Sequence, residues 1–174
     1  MRWNSTCRLP IEVQFEDIDG GGVVHHPNYL KYLERARCHA MREIGVPFEQ
    51  CLKDGIAFVV AEIHGKYLSP LQFGAKMCVE TRLVAVRKSS LKVIQKIVSA
   101  DRQTQVNEGT ESFLDMDRQT HFIAQLRLVS VDLKSGKPIP LPESLRRAGG
   151  VPDSQQMANH PEWSDVRIVP SGEN

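Results

Sequence analysis

The residues best suited to chemistry lie between Phe15 and Gly45, where two carboxylates, a glycine run and two histidines precede a long amphipathic segment. Asp17 and Asp19 come first, and a carboxylate can activate water as a general base or attack a carbonyl itself. A helix that starts soon after them has unpaired N–H groups, which stabilise the negative charge that develops on an attacked carbonyl oxygen. The pattern therefore predicts a reactive carboxylate that faces a helix N-terminus.

The elements that position these residues follow from the spacing of the apolar side chains. Apolar and polar residues alternate from Ile11 to Phe15 and predict a strand that leads to the two acids. Pro27 suits the first turn of a helix, and the apolar residues from Tyr29 to Ile44 recur at steps of three and four. Gly45 supplies the stop. The segment predicts one helix of about 17 residues, roughly 25 Å long.

A glycine-rich turn joins the strand to this helix. Residues 20–22 are all glycine, and without a Cβ the backbone can adopt positive φ or pass close to a ligand. Gly22 and Val24 of this segment are therefore assigned to substrate binding.

Beyond the helix the pattern changes to strands. A short helical turn is predicted at 48–53, followed by strands at 56–70, 76–86, 91–100 and 121–132. The short turn at 87–90 predicts that the second and third of these strands form an antiparallel hairpin. One long helix and about five mainly antiparallel strands indicate an α+β domain whose curved sheet wraps around the helix.

The segment EDIDGGGVVHHPNYLKYLERAR, residues 16–37, resembles the signature of the hot-dog-fold acyl-CoA thioesterases. The likeness is to the 4-hydroxybenzoyl-CoA thioesterase type and its Tol-Pal-associated bacterial relatives, and a looser resemblance covers residues 8–146. The resemblance implies a hot-dog fold and the hydrolysis of an acyl-CoA thioester to a free carboxylic acid and coenzyme A. It also implies a homodimer or homotetramer whose active site lies at a subunit interface.

Residue by residue, the resemblance makes Asp19 the catalytic carboxylate. It places His26 where some members have an active-site histidine and others use a backbone N–H to hold the thioester carbonyl. Asn28 follows as a residue that polarises or positions the substrate. Each position also has a plainer interpretation: Asp19 as a turn former, His26 as a polar loop residue and Asn28 as a helix cap. The sequence leaves open whether Asp19 acts as a general base or as a nucleophile.

The turn of the predicted hairpin is the candidate grip for the phosphates of coenzyme A. Arg87, Lys88 and Ser89 place two cations beside a hydroxyl, a combination that suits a phosphate. The resemblance gives this turn a similar role, and the alternative is an ordinary solvated turn.

Composition limits the other classes of function. The chain has 174 residues, 41% of them hydrophobic, which is sufficient for one core. A formal net charge of +1 indicates neither nucleic acid nor an anionic membrane as a partner. The longest apolar run, residues 56–61, is too short to span a bilayer, and residues 1–10 lack the apolar core of a signal peptide, so a cytoplasmic location is expected.

Metal sites and redox cofactors are not expected either. The four cysteines form no CxxC pair, and the six histidines form no HExxH motif. Coenzyme A then enters only as part of the substrate. Two alternatives remain: a hot-dog dehydratase or hydratase acting on an acyl thioester, and a non-catalytic module that binds acyl-CoA or an acyl carrier.

Two parts depart from the family's usual length. A polar excursion is expected at 101–119, either tuning substrate access or forming a plain surface loop. Residues 1–147 are assigned to the hot-dog domain and residues 148–174 to an extended or poorly ordered tail.

Overall fold

The computed structural model describes residues 6–100 and 118–148, which contain five strands, three α-helices and one short 3-10 turn at Phe15–Asp17. In chain order the elements are β1 (Cys7–Glu12), α1 (Asn28–Glu43), α2 (Phe48–Lys53), β2 (Ile56–Tyr67), β3 (Lys76–Val86), β4 (Ser90–Ser99), β5 (Thr120–Asp132) and α3 (Glu143–Ala148).

The strands form one antiparallel sheet in the order β1-β3-β4-β5-β2. The β3–β4 hairpin has the predicted turn, with Val86 opposite Leu91 at its closed end. β1 and β2 occupy the two edges of the sheet. The predicted α+β class and hot-dog arrangement are confirmed.

Helix α1 packs its apolar stripe against one face of this sheet. Tyr32 and Leu33 are fully buried on the helix, and Met77 and Val79 are fully buried on β3 opposite. At roughly 1.5–3 kcal/mol for each large apolar side chain removed from water, this contact is the main stabilisation of the helix.

A buried polar group fixes the helix to the sheet. Gln95 on β4 is fully buried, and its Oε1 accepts a hydrogen bond from Arg37 Nη1 at 2.8 Å. Its Nε2 donates to the main-chain carbonyl of Leu33 at 3.0 Å and to Thr81 Oγ1 at 2.9 Å. Because an unpaired buried amide is costly, these bonds favour one position of the helix on the sheet.

The sequence-based boundaries hold within about a residue for α1, β3, β4 and β5, and the strand predicted at 56–70 ends earlier, at Tyr67. The first strand was predicted at residues 11–15 but spans Cys7–Glu12, so it both begins and ends earlier than expected. β1 ends at Glu12, and Phe15 begins the 3-10 turn with 80% of its surface exposed, so it does not share the buried face of Val13. The Asp17 side chain bonds the main chain at Gln14, which competes with continued strand pairing.

Helix α3 was not predicted. The polar excursion was expected at 101–119, and residues 101–117 of it lie outside the described residues. The tail was expected at 148–174, and residues 149–174 of it also lie outside the described residues.

Candidate active site

The glycine run forms a tight turn between two short extended segments. Ile18 and Val24 face each other in an antiparallel bridge, and the Asp19 N–H donates to the Val23 carbonyl at 2.9 Å. The Gly22 N–H donates to the Asp19 carbonyl at 3.0 Å, and Gly22 has φ of 77°. That left-handed backbone explains why glycine stands at position 22.

Asp19 combines the two roles that its sequence context allows. Its Oδ1 accepts a hydrogen bond from the Gly21 N–H at 2.8 Å, as in a turn-forming aspartate. Its Oδ2 lies 3.9 Å from His25 Nδ1, and the side chain is 36% exposed. One oxygen therefore fixes the turn, while the other remains accessible beside an imidazole.

Asp17 has a different environment, although only one residue separates it from Asp19. Asp17 is buried, and its Oδ2 accepts a hydrogen bond from the Gln14 N–H at 3.0 Å. Its main-chain carbonyl accepts the His25 N–H at 2.9 Å and the Asn28 side-chain amide at 3.0 Å. These bonds make Asp17 a buried structural residue of the turn that leads to α1.

The Tyr32 hydroxyl is buried near Asp17. It makes no hydrogen bond of normal geometry within the described ranges. Burial, together with the nearby Asp17 carboxylate, raises the pKa of Tyr32. The hydroxyl therefore stays protonated, as a neutral neighbour of the buried carboxylate.

The N-terminus of α1 offers fewer donors than the sequence indicated. The Asn28 N–H donates to the His25 carbonyl at 2.9 Å, and its side-chain amide is used on Asp17. Among the described residues the His26 N–H has no backbone acceptor. Of these two main-chain N–H groups, that of His26 is therefore the one available to a substrate oxygen.

The two histidines that follow the glycine turn lie side by side at the protein surface. Both are exposed and their rings stack edge to face, with centroids 4.7 Å apart. His25, which was not assigned to the site from the sequence, has the imidazole next to Asp19. The bridge between Ile18 and Val24 brings His25 back alongside the acids, and only the register of this small hairpin reveals it.

Tyr67, at the end of β2, contacts this segment from the other side. Its hydroxyl donates to the main-chain carbonyl of His26 at 3.1 Å. Its ring packs against Tyr29 and Phe122, with centroids 5.1 and 4.7 Å away. The sequence analysis did not identify Tyr67, because the contact joins residues 41 positions apart.

Comparison with known proteins places this geometry in a family. Residues 13–149 match the thioesterase-like superfamily. The acyl-CoA thioester hydrolase YbgC of Escherichia coli O6:H1 is 31% identical over 138 residues, covering 79% of this chain and 91% of the relative. The acyl-CoA thioesterase YbgC of Haemophilus influenzae is 28% identical, covering 80% of this chain and 91% of the relative.

The chain belongs to the thioesterase-like superfamily.

Solved structures show the same fold. A 1,4-dihydroxy-2-naphthoyl-CoA thioesterase from Synechocystis superposes with a TM-score of 0.68 at 19% identity, covering 83% of this chain and 95% of that one. A variant of 4-hydroxybenzoyl CoA thioesterase complexed with 4-hydroxybenzoyl CoA gives 0.69 at 16% identity. The expected hot-dog thioesterase fold is thus confirmed.

Val24 lies in the core of this thioesterase domain. Its side chain is 3% exposed, and its N–H donates to the Leu71 carbonyl at 2.8 Å. Val24 thus attaches the glycine turn to the core of the domain, and its role in substrate binding stays a prediction.

The hairpin turn at Arg87, Lys88 and Ser89 lies far from Asp19 in the same chain. It closes one end of the β3–β4 hairpin, whereas the segment that carries Asp19 leaves β1 opposite Lys76, at the other end. The 11 residues of β3 separate the ends by roughly 33 Å at ~3.3 Å per residue. One chain therefore does not bring all the predicted site residues together.

The main chain of this hairpin turn is well fixed. The Lys88 carbonyl accepts the Leu141 N–H at 2.8 Å, and the Ser89 carbonyl accepts the Ser130 N–H at 2.9 Å. The side chains of Arg87 and Lys88 are exposed, and burial, with the nearby Arg87 charge, lowers the pKa of Lys92. The turn presents a rigid positive surface.

The described residues contain neither a metal site nor a membrane-spanning helix. No three His, Cys, Asp or Glu side chains in this part of the chain are arranged to hold a metal ion. None of its helices is long and apolar enough to cross a membrane.

Proposed function

We propose that this thioesterase hydrolyses acyl-CoA, with Asp19 as the catalytic carboxylate and the His26 N–H as the donor to the thioester oxygen. The observation that carries the proposal is an accessible Asp19 oxygen on the glycine turn, followed along the same segment by the His26 N–H, which has no backbone acceptor among the described residues. The relatives named as acyl-CoA thioester hydrolases support the substrate class.

The chemistry follows from these two groups. In the general-base route, Asp19 takes a proton from water as the water oxygen attacks the thioester carbon. The carbonyl oxygen gains negative charge, which the His26 N–H stabilises by about 3–4 kcal/mol, a typical value for one such donor. The C–S bond then breaks, and the coenzyme A thiolate leaves and is protonated. In the nucleophilic route, Asp19 attacks the thioester carbon and expels the coenzyme A thiolate, which is then protonated. Water hydrolyses the resulting mixed anhydride, which releases the carboxylic acid and restores the Asp19 carboxylate.

This chemistry requires no metal ion or redox cofactor, and we propose that coenzyme A enters only as part of the substrate. His26 contributes through its main chain, while the His25 imidazole lies beside Asp19 and is the side chain placed to influence it. A cytoplasmic location remains the expectation from the sequence.

Release of thiol from a panel of acyl-CoA esters tests the proposal. Aromatic, short-chain and long-chain esters are each incubated with the protein, and free coenzyme A is followed with a thiol reagent. Hydration of an enoyl-CoA without thiol release would favour the dehydratase alternative. Binding of the esters without either reaction would favour the binding module. Thiol release that Asp19→Asn abolishes supports the proposal.

We further propose that the active site is completed by a second copy of the chain. The Arg87–Ser89 turn is roughly 33 Å along the sheet from the Asp19 end, by strand rise, so a neighbouring subunit is better placed to supply it. Arg87→Ala with Lys88→Ala should then raise KM for an acyl-CoA. The same change should leave KM unaltered for the same acyl group on N-acetylcysteamine, which has no phosphate.

The two edges of the sheet differ in a way that favours dimerisation through β2. β1 has six residues and contains Pro10, which blunts an edge. β2 has 12 residues and exposes Val59, Val60 and Ile63, each at least 40% accessible. A long apolar edge of this kind pairs readily with another strand. Light scattering measures the resulting oligomeric state in solution.

Val60→Lys should convert the dimer to monomer, whereas Leu52→Lys, which charges an exposed leucine on α2, should not. A wild-type protein that is monomeric at micromolar concentration would contradict the proposed assembly.

A further inference from the structure

We propose that Tyr67 is a positioning residue of the reaction, whose hydroxyl holds the His26 main chain so that the His26 N–H meets the thioester oxygen. This inference rests on the proposed function, because it concerns the donor that the proposed mechanism uses. Tyr67 itself does not touch the reacting atoms in this scheme, and its hydroxyl keeps its proton throughout.

The main chain around His26 has few other attachments. His25 is bonded on both sides, by its N–H to Asp17 and by its carbonyl from Asn28. His26 has an exposed side chain, and its N–H has no backbone acceptor among the residues described. Apart from the contact of its ring with His25, the hydrogen bond from Tyr67 to the His26 carbonyl is what holds this residue within the described part of the chain.

The Tyr67 ring is held rigidly enough to act in this way. It packs edge to face on Tyr29, at an interplanar angle of 84°, and in a tilted contact on Phe122, which is 1% exposed. Tyr67 is nevertheless 53% exposed, so water could have satisfied its hydroxyl. The hydroxyl instead bonds a main-chain carbonyl of the segment that carries the donor.

Gly65 keeps space for this group of rings. A Cβ at position 65 would lie 2.8 Å from Cζ of Phe122, a distance that real Cβ atoms essentially never show. Phe122 is buried and cannot move outward without disturbing the ring of Tyr67 that rests on it. Position 65 therefore offers a way to displace Tyr67 without removing its hydroxyl.

Tyr67→Phe tests the proposal because it keeps the ring and removes only the hydroxyl. We expect kcat to fall about tenfold, since a donor displaced by a fraction of an ångström loses much of its effect. KM should stay within about twofold, because the hydroxyl contacts no substrate atom in this scheme. The melting temperature should remain close to that of the wild type.

Glu49→Gln is the matched control, since it weakens an exposed side-chain bond away from β2, the ion pair with Arg42. A general effect of losing one exposed bond would appear in both variants, whereas loss of positioning affects only Tyr67→Phe. Gly65→Ala should lower kcat in the same direction and reduce the melting temperature as well. Equal kcat for wild type and Tyr67→Phe would overturn the proposal.

A second measurement separates this inference from the proposed function. Backbone NMR relaxation and amide exchange of His25, His26 and Asn28 need no turnover, and Tyr67→Phe should increase both at His26. Should the wild-type protein hydrolyse no acyl-CoA, the proposed function fails, and an unchanged His26 amide in Tyr67→Phe would independently reject the positioning role.

Discussion

The 3-10 turn at Phe15–Asp17 and the glycine turn at residues 19–22 each contain one aspartate, and the two aspartates differ in burial and in hydrogen bonding. Asp17 is buried and bonded to the main chain at Gln14, whereas Asp19 is 36% exposed and uses one oxygen for its turn. The same residue type thus serves structure in one turn and is available for chemistry in the next. Environment, not residue identity, separates the two roles.

The difference has a simple physical basis. A buried carboxylate must have hydrogen-bond partners, and those partners fix it in place. An accessible carboxylate that keeps one oxygen uncommitted can accept a proton or attack a carbon. A chain that needs both a rigid entry to its helix and a reactive group can divide these tasks between neighbouring aspartates.

Asp19→Asn has the largest expected effect, and it tests whether Asp19 is the reactive aspartate of the two. Asparagine can still accept the Gly21 N–H through its amide oxygen, so the turn should persist, but the negative charge is lost. We expect kcat to fall by at least about a hundredfold, the usual scale for loss of a general base. Steady-state kinetics and thermal melting check it. Retained activity would shift the carboxylate role away from Asp19.

Asp17→Ala should give the converse result. The change leaves the Gln14 N–H without its carboxylate partner and the Tyr32 hydroxyl without its charged neighbour. We expect the free energy of unfolding to decrease by about 1–3 kcal/mol, the usual penalty for an unsatisfied buried group. Denaturant titration measures this.

The kcat of the folded Asp17→Ala protein should remain within a few-fold of the wild-type value. A loss as large as that of Asp19→Asn, in protein shown to be folded, would mean that Asp17 takes part in the reaction.

A pair of glycine substitutions tests whether the glycine turn at residues 19–22 requires a left-handed backbone at position 22. Gly22 has φ of 77°, so Gly22→Ala forces an L-residue into the left-handed region and should cost about 1–2 kcal/mol of stability. Gly20 has no positive φ, and no atom lies within 4 Å of a Cβ built there, so Gly20→Ala should be nearly neutral. Equal melting temperatures for the two variants would contradict this account of the turn.

The fold was predictable from the sequence where the pattern is long and regular. The apolar steps of α1 and the alternation in β3 gave boundaries within about a residue, because each element buries one continuous face. The first strand was predicted at residues 11–15 but spans Cys7–Glu12. It ends early because the Asp17 side chain accepts the Gln14 N–H, a local bond that alternation does not reveal.

The candidate site was only partly predictable. The order of residues indicated Asp19 and the turn beside a helix start, and the structure brings these together. It could not show that the Asn28 main-chain N–H donates to the His25 carbonyl, that the His25 imidazole lies next to Asp19, or that the Tyr67 hydroxyl reaches the His26 carbonyl. These facts depend on strand register and on packing between distant segments.

The smallest expected effect concerns His121, which lies outside both turns and holds the segment to which the glycine turn is attached. Val24 donates to the Leu71 carbonyl, and the segment just before Leu71 is fixed by His121. His121 is 7% exposed, with Nδ1 2.9 Å from Ser69 Oγ and Nε2 2.9 Å from Ser99 Oγ. Burial lowers the pKa of His121, although the carbonyls of Pro70 and Ser69 oppose the shift.

The sign of the resulting pH dependence follows directly. Because the pKa of His121 is lower in the folded protein, the unfolded chain binds more protons below about pH 6.5, the ordinary histidine value. The contribution of His121 is thus complete above that pH, and the free energy of unfolding should decline as the pH falls below it. Denaturant titrations at several pH values should show the decline in wild type and a smaller one in His121→Gln, which keeps polar atoms but does not titrate. An identical decline in both proteins would exclude His121 as its source and leave the anchoring of the glycine turn independent of pH.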